Sequence, residues 1–103
     1  MSQIENHWDE VGQIEIEMMR HMLALGIDWK DDAAMKHLAD ECKNFGPAQV
    51  KAAYASHDRT QTTRAELFAL ASVMLRTMTS AATDNRDVHG GEVWKAFGKH
   101  LYS

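Results

Sequence analysis

Two glutamate–histidine pairs are the residues of this sequence whose types and spacing suggest metal chemistry. Glu17 and His21 stand four residues apart, as do His37 and Glu41, so each pair would project from one side of a helix. Imidazole and carboxylate groups bind zinc and iron in proteins. Neither pair has the Glu-x-x-His spacing of di-iron bundles, and the sequence holds no His-x-x-x-His and no Cys-x-x-Cys. We therefore interpret the four residues as surface or boundary positions and expect no cofactor; a metal site is the alternative.

A methionine cluster could also bind metal. Met18, Met19 and Met22 surround Arg20 and His21, and thioether sulfur is a soft ligand for Cu(I). Methionine also packs adaptably in cores and at protein interfaces. The sequence favours the packing role over copper.

Nucleophilic catalysis would need Cys42, the single cysteine, with a base beside it. His37 lies five residues earlier, off the same helical face, whereas Leu38 and Phe45 are in register with Cys42. We interpret Cys42 as a small core residue. The sequence has no Gly-x-Ser-x-Gly, no phosphate-binding glycine-rich loop and no dinucleotide fingerprint, so we expect no enzymatic activity.

Composition indicates a single helical domain spanning residues 1–103, with 45% apolar and 25% charged residues. Residues 1–46 hold four Lys/Arg and ten Asp/Glu, whereas residues 47–103 hold seven and five. This acidic balance disfavours nonspecific nucleic-acid binding, because attraction to phosphates dominates that affinity; a specific contact with DNA stays open as an alternative. No apolar run is long enough for a membrane span. The acidic first residues and the lone cysteine predict a cytoplasmic protein without a membrane partner.

The first element that must position these residues is a long helix over about residues 3–25, with a Ser2–Glu5 capping box at its start and Gly26 to end it in a left-handed conformation. Its second half carries two apolar stripes on neighbouring faces, so one covering surface is not enough for it. The first stripe contains Ile4, Trp8, Val11, Ile14, Met18, Met22 and Leu25, and the second contains Ile16, Met19 and Leu23.

The rest of the chain predicts four more helices. Asp28 is expected to cap the second, residues 48–56 form a short third, and Thr63 with Glu66 forms a capping box at the start of a fourth over about 64–82. A last helix covers about residues 92–101. We predict an all-α, compact bundle of four to five helices, with the two long helices packed side by side and three shorter ones around them.

The segment from Met35 to Arg59 resembles a helical hairpin in length and turn. As a helix-turn-helix it would direct Gln49, Lys51 and Arg59 to the major groove. However, Glu41 stands where that motif needs an apolar residue. We favour a simple hairpin and keep a DNA-binding regulator as the alternative.

The last helix carries Trp94, Phe97 and Leu101 on one side. This face could dock into another protein or fold back as a lid over the bundle. We favour the lid.

The surplus of apolar helix surface predicts a non-enzymatic accessory or regulatory module that binds another protein, acting as a homodimer. A metal-binding helical protein is the second alternative, after the DNA-binding regulator. The expected interface residues are Met18, Met19, Met22, Leu23, Trp94, Phe97 and Leu101.

Overall fold

Five α-helices make up the fold of this chain. The computed structural model describes the backbone of residues 3–83 and 90–102 and the side chains of residues 10–80 and 90–102, and it contains no strand within those ranges. The predicted all-α bundle with two long helices is confirmed. The helices are α1 (Gln3–Ala24), α2 (Asp32–Lys43), α3 (Pro47–Ala55), α4 (Arg59–Thr83) and α5 (Glu92–Leu101).

Gly26 ends α1 in the left-handed conformation that the sequence predicts, with φ of 71°. The Gly26 N–H donates to the Leu23 carbonyl at 3.1 Å, and the Ile27 N–H donates to the Met22 carbonyl at 2.9 Å. This pair of bonds satisfies carbonyls that a helix end leaves without partners. It also turns Ile27 back toward the core. The Ser2–Glu5 capping pattern at the other end lies outside the described side chains.

Asp31, and not Asp28, caps α2, which corrects the prediction. The Asp31 side chain accepts a hydrogen bond from the Ala34 N–H at 3.2 Å. Asp28 instead accepts from the Lys30 N–H at 2.9 Å, a local turn that Asp readily forms. The turn delays the helix by three residues.

The second long helix begins at Arg59, five residues before the predicted start. Asp58 accepts from the Thr60 N–H with its side chain at 2.9 Å and from the Thr62 N–H with its carbonyl at 3.0 Å. Those bonds make Asp58 the cap and leave Thr63 inside the helix. His57 reverses the chain just before it, with φ of 56°, a conformation in which Asn, Asp and His are enriched among non-glycine residues.

The two long helices pack against each other, as predicted. The end of α1 meets the beginning of α4, where His21 Nε2 lies 3.2 Å from Glu66 Oε2. α3 packs on α4, and Phe45 meets Phe68 edge to face with ring centroids 4.9 Å apart. The buried core draws on four of the helices and contains Val11, Ile14, Met18, Met22, Met35, Leu38, Ala39, Leu67, Phe68, Ala71, Met74, Val93, Trp94 and Phe97.

The last helix folds back on the bundle, so the lid prediction is confirmed. α5 packs along α2 and also touches α1. At its first turn Glu15 of α1 accepts from the Gly91 N–H at 2.6 Å and from the Trp94 N–H at 3.2 Å. This carboxylate supplies the cap that Gly91 has no side chain to provide.

The far end of α5 is held by a second carboxylate. Asp32 Oδ1 lies 2.6 Å from Lys99 Nζ and 2.9 Å from His100 Nε2. Hydrogen bonds from Lys99 first and from His100 second keep the pKa of Asp32 below its usual 3.8. Acidic side chains from α1 and α2 therefore fix both ends of the lid.

Candidate protein-binding face

The outward side of α1 carries four uncharged residues at helical spacing. Ile16 is 46% exposed and Leu23 62% exposed. Met19 between them is half-buried, and Gly12 one turn earlier is exposed. These four residues, Gly12, Ile16, Met19 and Leu23, are called the α1 stripe below. Solvent therefore reaches a continuous apolar strip on this helix.

Helix geometry explains why the fold leaves the α1 stripe uncovered. Met18 and Met22 have no exposed surface and form part of the core. At about 100° per residue, the stripe residues lie roughly 100–160° around the axis from Met18. α4 and α5 cover the Met18 side of α1 and the flank at Glu15. The remaining sector keeps its apolar side chains in water.

Charged residues border the α1 stripe but do not interrupt it. Arg20 lies on one edge, and its Nη1 is 2.7 Å from Oε1 of Glu17, which lies further around the helix. On the other edge, Glu15 binds the first turn of α5. An apolar strip with a polar border is the usual anatomy of a protein contact.

An apolar cleft continues the α1 stripe past the end of the helix. It has a volume of about 260 Å³ and lies around Leu23, Ile27 and Trp29, with Asp28 and Lys30 at its rim. A partner side chain lying along the stripe would reach this cleft next. The exposed surface thus extends beyond a single helical turn.

Most of the residues predicted for an interface are used inside the chain, which corrects that prediction. Met18, Met22 and Phe97 have no exposed surface, and Trp94 is 6% exposed. They cover one another within a single copy, since α5 folds back onto the bundle. Leu101 is half-buried against the core. Among the predicted interface residues, Leu23 is exposed, and Met19, like Leu101, is half-buried against the core.

Ile16 and Gly12 were absent from the predicted interface, although Ile16 belongs to the second apolar stripe of the sequence. The signal was present in the spacing of Ile16, Met19 and Leu23. What the sequence could not show was which of the two stripes α4 would cover.

One member of each Glu/His pair contacts another helix. The two pairs do not come together at a metal site. The His21 Nδ1–H donates to the Glu17 carbonyl at 2.6 Å, and Nε2 faces Glu66. His37 Nε2 lies 3.0 Å from Glu41 Oε1. No group of three or more potential ligands from His, Cys, Asp and Glu occurs among the described residues.

Glu41 has a structural partner that the sequence did not predict. Its Oε2 lies 2.7 Å from Arg64 Nη1, which ties the end of α2 to α4. The pair borders a cavity of about 330 Å³ between the α1–α2 loop and these two helices. Arg64 thus uses the carboxylate that a metal would need.

Cys42 packs against the core, as predicted, and is half-buried. Loss of hydration raises the pKa of its thiol to about 11. The thiolate, which is the nucleophilic form, is therefore scarce at neutral pH.

The helix-turn-helix residues do not form that motif. α3 packs on α4, and extensive α2–α3 packing is absent from the described chain. Gln49 Oε1 accepts from the Gly46 N–H at 2.9 Å, which stabilises the start of α3. Lys51 and Arg59 are exposed. In the described residues, α3 therefore lacks the packing against the preceding helix that supports a recognition helix in this motif.

A second, smaller apolar surface lies on α3. Val50 is 37% and Tyr54 51% exposed, above a cleft of about 130 Å³ that also involves Cys42, Phe45 and Phe68. α3 is only nine residues long, and the buried Ala53 is its contact with the core side of α4.

Within the part of the chain that the structure describes, none of the helices combines the length and apolar character needed to cross a bilayer. The chain matches no protein-family model, and it has no significant match among curated proteins or solved structures.

Proposed function

We propose that this chain is a non-enzymatic helical module that acts by binding protein, and that it assembles as a homodimer through the α1 stripe. The observation that carries the proposal is the contrast within α1: Met18 and Met22 are fully buried, whereas Ile16 and Leu23 are half or more exposed. A helix that is apolar on two sides is stabilised by two covering surfaces. The described residues of one copy supply one of these two surfaces, on the Met18 side of α1.

Burial of the α1 stripe would give dimerisation a modest driving force. Full burial of an aliphatic side chain contributes about 1.5–3 kcal/mol, and Ile16 and Leu23 have roughly half of their surface left to bury. Association also costs several kcal/mol in lost freedom of motion. We therefore expect a weak, concentration-dependent dimer. Such affinity suits a regulatory module whose assembly responds to its concentration.

The geometry favours this proposal over its two alternatives. A metal site would need the carboxylates that Arg20 and Arg64 already occupy. A helix-turn-helix DNA-binding protein would need a recognition helix that packs on the helix before it. Among the described residues, the extensive contacts of α3 are with α4. We place the module in the cytoplasm because of its acidic composition and its single half-buried thiol.

Light scattering coupled to size-exclusion chromatography tests the proposal over a concentration series. We expect the wild-type mass to rise from monomer toward dimer, and Leu23→Glu to remain monomeric because it buries a charge in the contact. Val50→Glu is the matched control, since it adds the same charge to an exposed apolar position on α3. Circular dichroism verifies that each variant keeps its helix content. A wild type that stays monomeric at the highest concentration would contradict the proposed dimer.

A further inference from the structure

We draw no further inference here: the strongest candidate, the exposed α1 stripe together with the apolar cleft that continues it past the end of the helix, carries nothing beyond the proposed function, because nothing in the structure shows what covers it.

Discussion

Two apolar faces of this molecule were expected to meet a partner, and the fold treats them differently. The face of α5 around Trp94 and Phe97 is buried against the bundle, whereas the α1 stripe around Ile16 and Leu23 remains exposed. Both faces carry large apolar side chains at helical spacing. Hydrophobicity therefore does not by itself decide which face the chain covers.

The difference lies in what surrounds each face. α5 finds carboxylates at both of its ends, from Glu15 and Asp32, and these bind its first N–H groups and its last basic side chains. At the edge of the α1 stripe, Arg20 instead pairs with Glu17 of the same helix. Polar contacts at the two ends fix a helix against its neighbours, whereas an ion pair within one helix holds no second element against the stripe. The predictions below test this contrast.

The largest difference should come from truncating one side chain on each face. Phe97 has no exposed surface, so Phe97→Ala is expected to lower the free energy of unfolding by about 3–5 kcal/mol through the cavity it leaves. Leu23→Ala, measured as a dilute monomer, should change it by less than about 0.5 kcal/mol. Urea denaturation followed by circular dichroism measures both. Similar losses of unfolding free energy in the two variants would contradict the difference in burial between the two faces.

The contribution of the α5 cap can be isolated at Glu15. Glu15→Ala removes both acceptors of the Gly91 and Trp94 N–H groups, and we expect it to cost about 0.5–2 kcal/mol. Hydrogen exchange should accelerate at the first amides of α5. Glu17→Ala is the matched control, since Glu17 forms an exposed pair with Arg20 and should cost less than about 1 kcal/mol. An unchanged hydrogen-exchange rate at the Trp94 amide in Glu15→Ala would show that Glu15 does not stabilise the start of α5.

Replacing one glycine on each face with alanine compares the two faces by the addition of one methyl group. The surface at Gly12 is open, so Gly12→Ala should stabilise the chain by about 0.5–1 kcal/mol through helix propensity. At Gly98 an added Cβ would lie 3.0 Å from Trp94 Cε2, so that the contact offsets the propensity gain. Thermal unfolding of the two variants under the same conditions measures the difference. Equal gains in stability for the two variants would mean that Trp94 packs less closely on Gly98 than the structure shows.

The smallest effect should come from Asp32, whose side chain is largely exposed. Because Lys99 and His100 lower the pKa of this carboxyl below 3.8, its contribution to stability is present above that value. The contribution is lost as the pH falls through the lower folded-state pKa. Wild type should therefore lose more stability on acidification than Asp32→Asn, and salt should reduce the difference. Parallel pH profiles for the two proteins would show that Asp32 does not secure α5.

Sequence reasoning located the helices because their signals are local. The α5 boundaries and the left-handed Gly26 follow from residues that act on their own neighbours. The two errors at helix starts arose where more than one residue could cap the helix. Asp28 closes a turn, so that Asp31 caps α2. Asp58 begins α4 upstream of the Thr63 capping pattern because its side chain reaches the Thr60 N–H.

The candidate site could be predicted only in part because it depends on long-range packing. The period of α1 shows two stripes but contains no information on which one faces α4. Glu15 reaches Gly91, 76 residues later in the chain, and Glu41 reaches Arg64, 23 residues later. Such pairs leave no spacing pattern in a single sequence. The corrected interface therefore follows from the fold.

Methyl NMR with a water-soluble paramagnetic probe compares the two sides of α1 most directly. The Met18 and Met22 methyls should be protected at every concentration, and the Val50 methyls should be broadened at every concentration. The account predicts that the Ile16 and Met19 methyls behave like Val50 in dilute solution and become as protected as Met22 at high concentration. If Ile16 and Met19 remain as accessible as Val50 at the highest concentration, no second copy covers the α1 stripe, and the central claim is contradicted.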